Sequence, residues 1–365
     1  MVNEHFGGYL PIGIDISNYI KWNTDNVIAV LADNSDDPNY PPGKEQKVLD
    51  FAYFGGIYRD CWLITHNNVF ITDPNNENEV AGGGVLVAYP KVSKNEAELF
   101  LKTHIRNAEN QSFSGTLIYE LIDSKTNKIA MQKKIKAAVN PSSASNFTST
   151  IKVNNPELWT PDHPFLYHLN IKIADKEGHI IDGYTQKIGI RSIEFKGVEG
   201  LWINGEPYPE PLLGANRHQD FALVGNALSN NIHWRDAKKL RDAGMRVIRN
   251  AHYPQDPAFM DACDELGLFV IVNTPGWQFW NEDPNFEKLV YQDIRNMVRR
   301  DRNRASLFLW EPILNETNYP DYFAKRTKEI VYEEFPYPNS YSACDERAKG
   351  SEFYDVQFDH PPKTP

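Results

Sequence analysis

Cysteine is scarce in this chain: Cys61, Cys263 and Cys344 are the only three among 365 residues. An odd number so widely spaced is no disulfide framework, and no Cys-x-x-Cys pair offers metal-ligand spacing. Each reads as a small buried residue. Long apolar runs are missing too, and none approaches the ~18 residues of a membrane-crossing helix. Basic charge is outnumbered, 38 Lys and Arg against 49 Asp and Glu, for a formal net charge of -11. That balance argues against nucleic acid as a partner, because phosphate binding needs a basic surface. Residues 1–8 lack the basic-then-apolar pattern of an export signal, so localisation is left unassigned. No Gly-x-Gly-x-x-Gly follows a strand, no Ser sits in a Gly-x-Ser-x-Gly elbow, and no His-Glu-x-x-His is present. Dinucleotide sheets, elbow hydrolases and zinc proteases therefore have no support.

What is present is a 41% hydrophobic, 12% aromatic chain, enough for sizeable cores and, at this length, for two or three domains. Residues up to about 195 read as all-β. Short apolar or alternating runs at 26–31, 69–72, 85–88, 98–102, 116–122, 151–153, 167–173 and 184–190 are punctuated by Gly, Pro, Asn and Asp clusters. This spacing predicts sandwiches. The turn Gly82-Gly-Gly84 marks an expected boundary, giving domains at 1–80 and 81–195.

From residue 196 to 365 the rhythm changes to buried strands alternating with helices. Strands are expected at 211–216, 245–249, 268–272 and 307–310, with a fifth near 339–344. Helices are expected at 234–243, 256–265, 286–300 and 321–334, two of them ending at Gly244 and Gly267. Repeated strand–helix units imply a parallel sheet, either doubly wound or a TIM barrel.

Polar residues gather just past each strand. Arg217 and His218 follow the first, His252 the second, Trp277 and Trp280 the third, and Asn315 and Glu316 the fourth. A barrel builds its active site at that end. Glu316, delivered to the sheet mouth by the run Leu307-Phe-Leu-Trp310, is a candidate general acid whose pKa desolvation would raise. Arginine, histidines, amides and large aromatics together suit a polyhydroxylated ligand, since sugar rings stack on indole and their hydroxyls need fixed polar partners. Glycoside hydrolysis requires two carboxylates. Glu311 is read as turned elsewhere by Pro312, and no second one stands out. No cofactor is expected; a divalent or monovalent metal stays open, without evident ligand spacing.

These residues resemble glycoside hydrolase family 2, the β-galactosidase and β-glucuronidase family. Glu4-His-Phe-Gly-Gly-Tyr-Leu-Pro11 and Asp50-Phe-Ala-Tyr-Phe-Gly-Gly-Ile-Tyr-Arg-Asp-Cys-Trp-Leu63 look like its N-terminal jelly roll. Leu158-Trp-Thr-Pro-Asp-His-Pro-Phe-Leu-Tyr167 and Gly189-Ile-Arg-Ser-Ile-Glu-Phe195 look like its immunoglobulin-like sandwich. Gly214-Ala-Asn-Arg-His-Gln-Asp220, Val247-Ile-Arg-Asn-Ala-His-Tyr-Pro254 and Arg299-Arg-Asp-Arg-Asn-Arg304 leading to Asn315-Glu316 look like its barrel. The resemblance implies a multidomain protein, all-β sandwiches followed by a TIM barrel. It makes Glu316 the general acid/base and has Asn315 bond the sugar's 2-hydroxyl. Arg217, His218 and His252 would line the terminal-sugar subsite, Arg249 would orient the nucleophile, and Asp60 would reach the site from the jelly roll. The aromatic group Trp277, Phe279 and Trp280 has no fixed family role, and Trp277 and Trp280 are taken as stacking platforms.

The pattern also departs from the family. The chain is expected to start inside the jelly roll and to stop after about five barrel strands, ahead of the seventh strand that carries the nucleophilic Glu. Such a barrel exposes unpaired strand edges and is expected to aggregate unless covered. Trp310-Glu-Pro-Ile-Leu-Asn-Glu316 is one residue longer than the usual spacing, and the segment 273–280 lacks the acidic residues common in β-galactosidases. The expected function is therefore retaining hydrolysis of terminal β-galactosides, with these residues alone inactive. β-Glucuronides and non-catalytic carbohydrate binding are the alternatives. The expected partner is an oligosaccharide or polysaccharide-derived substrate, with neither nucleic acid nor membrane, and a homo-oligomer is left open.

Overall fold

In a computed structural model that describes residues 2–358, two architectures share the chain. Antiparallel strands β1 (Val69–Ile71), β2 (Val85–Val92), β3 (Glu96–Asn107), β4 (Phe113–Asp123), β5 (Ile129–Val139), β6 (Ser143–Asn154), β7 (Tyr167–Ala174) and β8 (Ile180–Ile188) form a two-sheet sandwich. One sheet is centred on β3, which pairs with β1, β2 and β6; the other runs β5-β4-β7-β8. Alternation sends Leu99, Leu101 and Ile105 of β3 inward against Leu117, Tyr119, Leu121, Leu169, Ile171 and Ile173. Because β1 pairs with β3, the sandwich ladder reaches back across the Gly82–Gly84 turn, ahead of the expected boundary at residue 80.

After the short antiparallel strands β9 (Ile193–Phe195), β10 (Leu201–Ile203) and β11 (Glu206–Pro207), the parallel strands begin. These are β12 (Gly214–Asn216), β13 (Val247–Asn250), β14 (Phe269–Asn273) and β15 (Leu307–Glu311), paired in chain order. Helices α2 (Asn230–Asp242), α3 (Pro257–Leu266), α4 (Pro284–Asp301) and α5 (Asp321–Glu334) cover them; α1 (Pro74–Glu77) is a single turn in the sandwich. A bridge from Trp310 to Ser342 carries the sheet on to β16 (Ala343–Asp345), which pairs in parallel with β17 (Val356–Phe358). The described residues thus form an incomplete parallel barrel of six strands, one more than expected. Three residues flanked by a tight turn gave β17 no periodicity to read.

Local chemistry sets the helix ends. Asp256 and Asp283 each accept a backbone N–H of the first turn, from Ala258 and Asn285 at 2.8 Å, with Pro at the first helical position. Helix α3 stops at Gly267, whose φ is +73° and whose α-carbon lies so close to the Pro161 carbonyl that a Cβ would sit 2.1 Å from its oxygen.

Two sequence expectations fail in residues 2–68, which contain no strand and only the three-residue 3-10 turn Gln46–Val48. The run at 26–31 is open coil, with Val27 93% and Leu31 97% exposed, so the jelly-roll strands are not seen there. Its backbone belongs to no ladder, and apolar alternation alone does not make a strand. Cys61, expected buried, is exposed in the same coil, whereas Cys263 and Cys344 are buried.

Buried arginines join barrel to sandwich. The Arg191 guanidinium donates to the carbonyls of Ala305 (2.5 Å) and Leu307. Replacing Arg191 with Leu strands those carbonyls and should cost about 2 kcal/mol, read as a lowered urea midpoint. An unchanged midpoint would mean the carbonyls find other donors.

Candidate active site

The polar clusters past β12–β15 do not all enter the barrel mouth. Arg217 follows β12, and its backbone N–H extends the ladder to the Arg249 carbonyl at 2.9 Å. Its side chain runs into the helical layer, donating to Asp236 of α2 at 2.8 Å and to Gln255, 3.3 Å from His233 Nδ1, with its guanidinium 4.1 Å from the Phe259 ring centre. Trp280 packs edge-on against Phe286 and Phe323, with ring centres 5.8 and 4.8 Å away. These two residues, expected to line a sugar subsite, are packed among helices. Asp60 is exposed and accepts from Asn230 at the start of α2, at 3.1 Å.

The remaining candidates converge. His218 and His252 have ring centres 6.1 Å apart, edge to face. Asp50, from the N-terminal coil, brings Oδ2 within 4.0 Å of His218 Nε2 and 3.8 Å of His252 Nε2. The coil is held there by Tyr9 and Phe51 packed on Tyr253, and by Arg59, which donates to Gln219 (3.1 Å) and the Pro254 carbonyl (2.8 Å). His252 lies parallel to Trp277 at 6.5 Å, and the Lys44 ammonium sits 3.8 Å from the centre of that indole.

Trp277 belongs to the loop after β14, which crosses to the loop after β15. The Gln278 N–H donates to the Asn315 carbonyl at 3.0 Å, and the Gly276 N–H to the His252 carbonyl at 3.2 Å. Glu316 takes a left-handed conformation (φ +51°). Its Oε2 accepts from Trp277 Nε1 at 3.2 Å and Gln278 Nε2 at 2.7 Å. The residue is exposed, not desolvated as expected: it stands in the turn after β15, just past the buried segment 311–315.

Arg249, at the end of β13, grips Glu311 with Nε at 2.7 Å from Oε2 and with Nη2 on Oε1; Nη2 also donates to Asn315 Oδ1 at 3.1 Å. Burial alone would lower the Arg249 pKa, but the Glu311 charge and hydrogen bonds outweigh it and hold it raised. Glu311 is wholly buried. Sequence reading turned it away at Pro312, yet it points inward. A usable signal was there: β13 and β15 are alternate strands, and alternate barrel strands share interior layers, where an acid and an arginine can meet. Asp50, Lys44 and Gln278 carried no comparable signal. Among the described residues no three His, Cys, Asp or Glu side chains cluster as a metal cage would need.

Comparisons with known proteins agree with this layout. Residues 85–191 match the model for glycosyl hydrolases family 2, and residues 193–331 the model for the TIM barrel domain of the same family. A β-galactosidase of Thermoanaerobacter pseudethanolicus is 36% identical over 91% of this chain and 42% of its own length. A putative β-glucuronidase of Formosa agariphila is 33% identical over 84% of this chain and 34% of its own length. The solved structure of Bacteroides uniformis β-glucuronidase 2, covalently bound to cyclophellitol-6-carboxylate aziridine, superposes with a TM-score of 0.83 at 27% identity. That match covers 94% of this chain and 42% of the glucuronidase. The chain thus spans less than half the length of these relatives.

Proposed function

This chain belongs to glycosyl hydrolase family 2, and we propose that it carries the terminal-sugar subsite and acid/base carboxylate of a retaining β-galactosidase. The observation that carries the reading is Glu316 itself. It is an exposed carboxylate at the barrel mouth, oriented by Trp277 Nε1 and Gln278 Nε2, and it directly follows the Asn315 that Arg249 holds. In the role proposed, Glu316 protonates the glycosidic oxygen as the bond breaks and later takes a proton from water. Trp277 offers its indole to the sugar's C–H face, and His218 and His252, bracketing Asp50, offer ring nitrogens to its hydroxyls.

The double displacement also needs a nucleophile. Among the described residues the other carboxylate of this network, Glu311, is clamped by Arg249 and has no exposed surface, so it cannot meet an anomeric carbon. The purified chain is therefore expected to bind a β-galactoside without turning it over. Titration with methyl β-galactoside, followed by ligand-observed NMR, tests the binding; nitrophenyl β-galactoside tests the chemistry. Absence of binding refutes the subsite, and turnover abolished in Glu316→Gln refutes the missing nucleophile.

One observation favours β-glucuronides as a second reading. The Lys44 ammonium over Trp277, which also donates to Gln278 Oε1 at 2.9 Å, is a cation placed where a uronic carboxylate could pair. On that reading Lys44→Met weakens methyl β-glucuronide about tenfold, the scale of one charge-assisted bond, and leaves methyl β-galactoside unchanged. Equal binding of the glucuronide to both chains excludes it.

A further inference from the structure

We infer that Glu311 is a positioning residue, which fixes the orientation of the Asn315 amide through Arg249; the inference rests on the sugar-binding reading above. An asparagine amide has an acceptor end and a donor end, and the wrong end facing a ligand hydroxyl changes what it recognises. Here chemistry decides the orientation. Arginine has donors only, so the Asn315 atom 3.1 Å from Arg249 Nη2 must be the carbonyl oxygen. The two Nδ2 hydrogens are then what Asn315 presents elsewhere, as donors to a hydroxyl oxygen.

Arg249 can hold that orientation only if it is itself held. Among the described residues, three bonds from its guanidinium end on two residues, and two of the three end on Glu311. Glu311 has no exposed surface, while Arg249 also faces the Phe358 ring 5.3 Å away and the Asp345 carboxylate at the end of β16. A planar fork locked on one side by a carboxylate is fixed in direction, and its remaining Nη2 hydrogen then points at Asn315. The Glu311 bonds span 62 residues of sequence and the Asn315 bond 66, so tertiary folding alone assembles the relay.

The test compares a sugar with its 2-deoxy counterpart, because a hydroxyl oriented by Asn315 is lost in one of them. Methyl β-galactoside and methyl 2-deoxy-β-galactoside, or the glucuronide pair if that sugar binds more tightly, are titrated into wild type and Glu311→Gln. Wild type is expected to prefer the 2-hydroxy sugar about tenfold, the scale of one well-made hydrogen bond. In Glu311→Gln the preference should shrink to about twofold by loss of affinity for the 2-hydroxy sugar alone. Arg249→Lys is the second variant, since a single ammonium cannot hold both partners in the same fork, and it should reproduce the loss. A merely structural role for Glu311 would weaken both sugars equally. Equal weakening, or an intact preference in both variants, overturns the inference and leaves the sugar-binding reading standing. A wild type that binds neither sugar removes both.

Discussion

Arg249→Leu should lower the unfolding free energy by about 3–5 kcal/mol, because it leaves the Glu311 carboxylate buried with no countercharge. The carboxylate has no exposed surface and its two oxygens both take bonds from that guanidinium. The double variant Arg249→Leu with Glu311→Leu removes both charges, and it should recover most of the loss, since a buried pair replaced by apolar residues of similar volume is often neutral. Urea unfolding of the four chains closes the cycle. A double variant no more stable than Arg249→Leu would show that the pair is worth more together than its desolvation costs.

The second large effect is acid sensitivity centred on His233. Its ring is fully buried on α2, and burial pushes its pKa down to about 4 from the ordinary 6.5. Asp256, with Oδ2 3.7 Å from Nε2, and Asp236 work against that shift, while Arg217 and Arg59 reinforce it. Arg217 Nη2 lies 3.3 Å from Nδ1 and can only donate, so the neutral ring carries its proton on Nε2. Between pH 6.5 and about 4 the unfolded chain binds a proton that the folded chain refuses. Stability therefore falls as pH drops through this window, by on the order of 3 kcal/mol, and this contribution levels off below it. His233→Gln keeps an acceptor for Arg217 and removes the titration. Its stability should fall less steeply than wild type over the same window, the carboxylates titrating in both. Parallel slopes would refute the assignment.

Much of the fold could be read from local pattern. The helix expected at 321–334 has those bounds, and those expected at 286–300 and 256–265 are each displaced by one or two residues, since caps and prolines act within a single turn. The four runs at 211–216, 245–249, 268–272 and 307–310 all contain strand, but the first, expected buried, is exposed along β12 because it is the edge strand of the sheet. Strand β5 was missed because its exposed lysines, in Gln132-Lys-Lys-Ile-Lys136, mask the alternation. The run at 26–31 was read as a strand and is coil, because its pattern says nothing about whether a neighbour exists to pair with.

For the candidate site the division is sharper. Sequence alone determined that polar residues cluster after successive barrel strands, because the end of a buried apolar run is a local event. Only the tertiary structure decided which of those side chains face the barrel mouth. Arg217 and His218 are chain neighbours, yet one enters the helical layer to meet Asp236 and the other turns to His252 and Asp50. Past a strand's end the side chain follows whichever distant partner best satisfies its charge or covers its apolar surface. For Arg249 that partner is Glu311, for Trp280 the rings of Phe286 and Phe323, and for the two histidines an aspartate from the N-terminal coil. Packing and charge pairing over such separations have no period, so they leave no trace in local sequence.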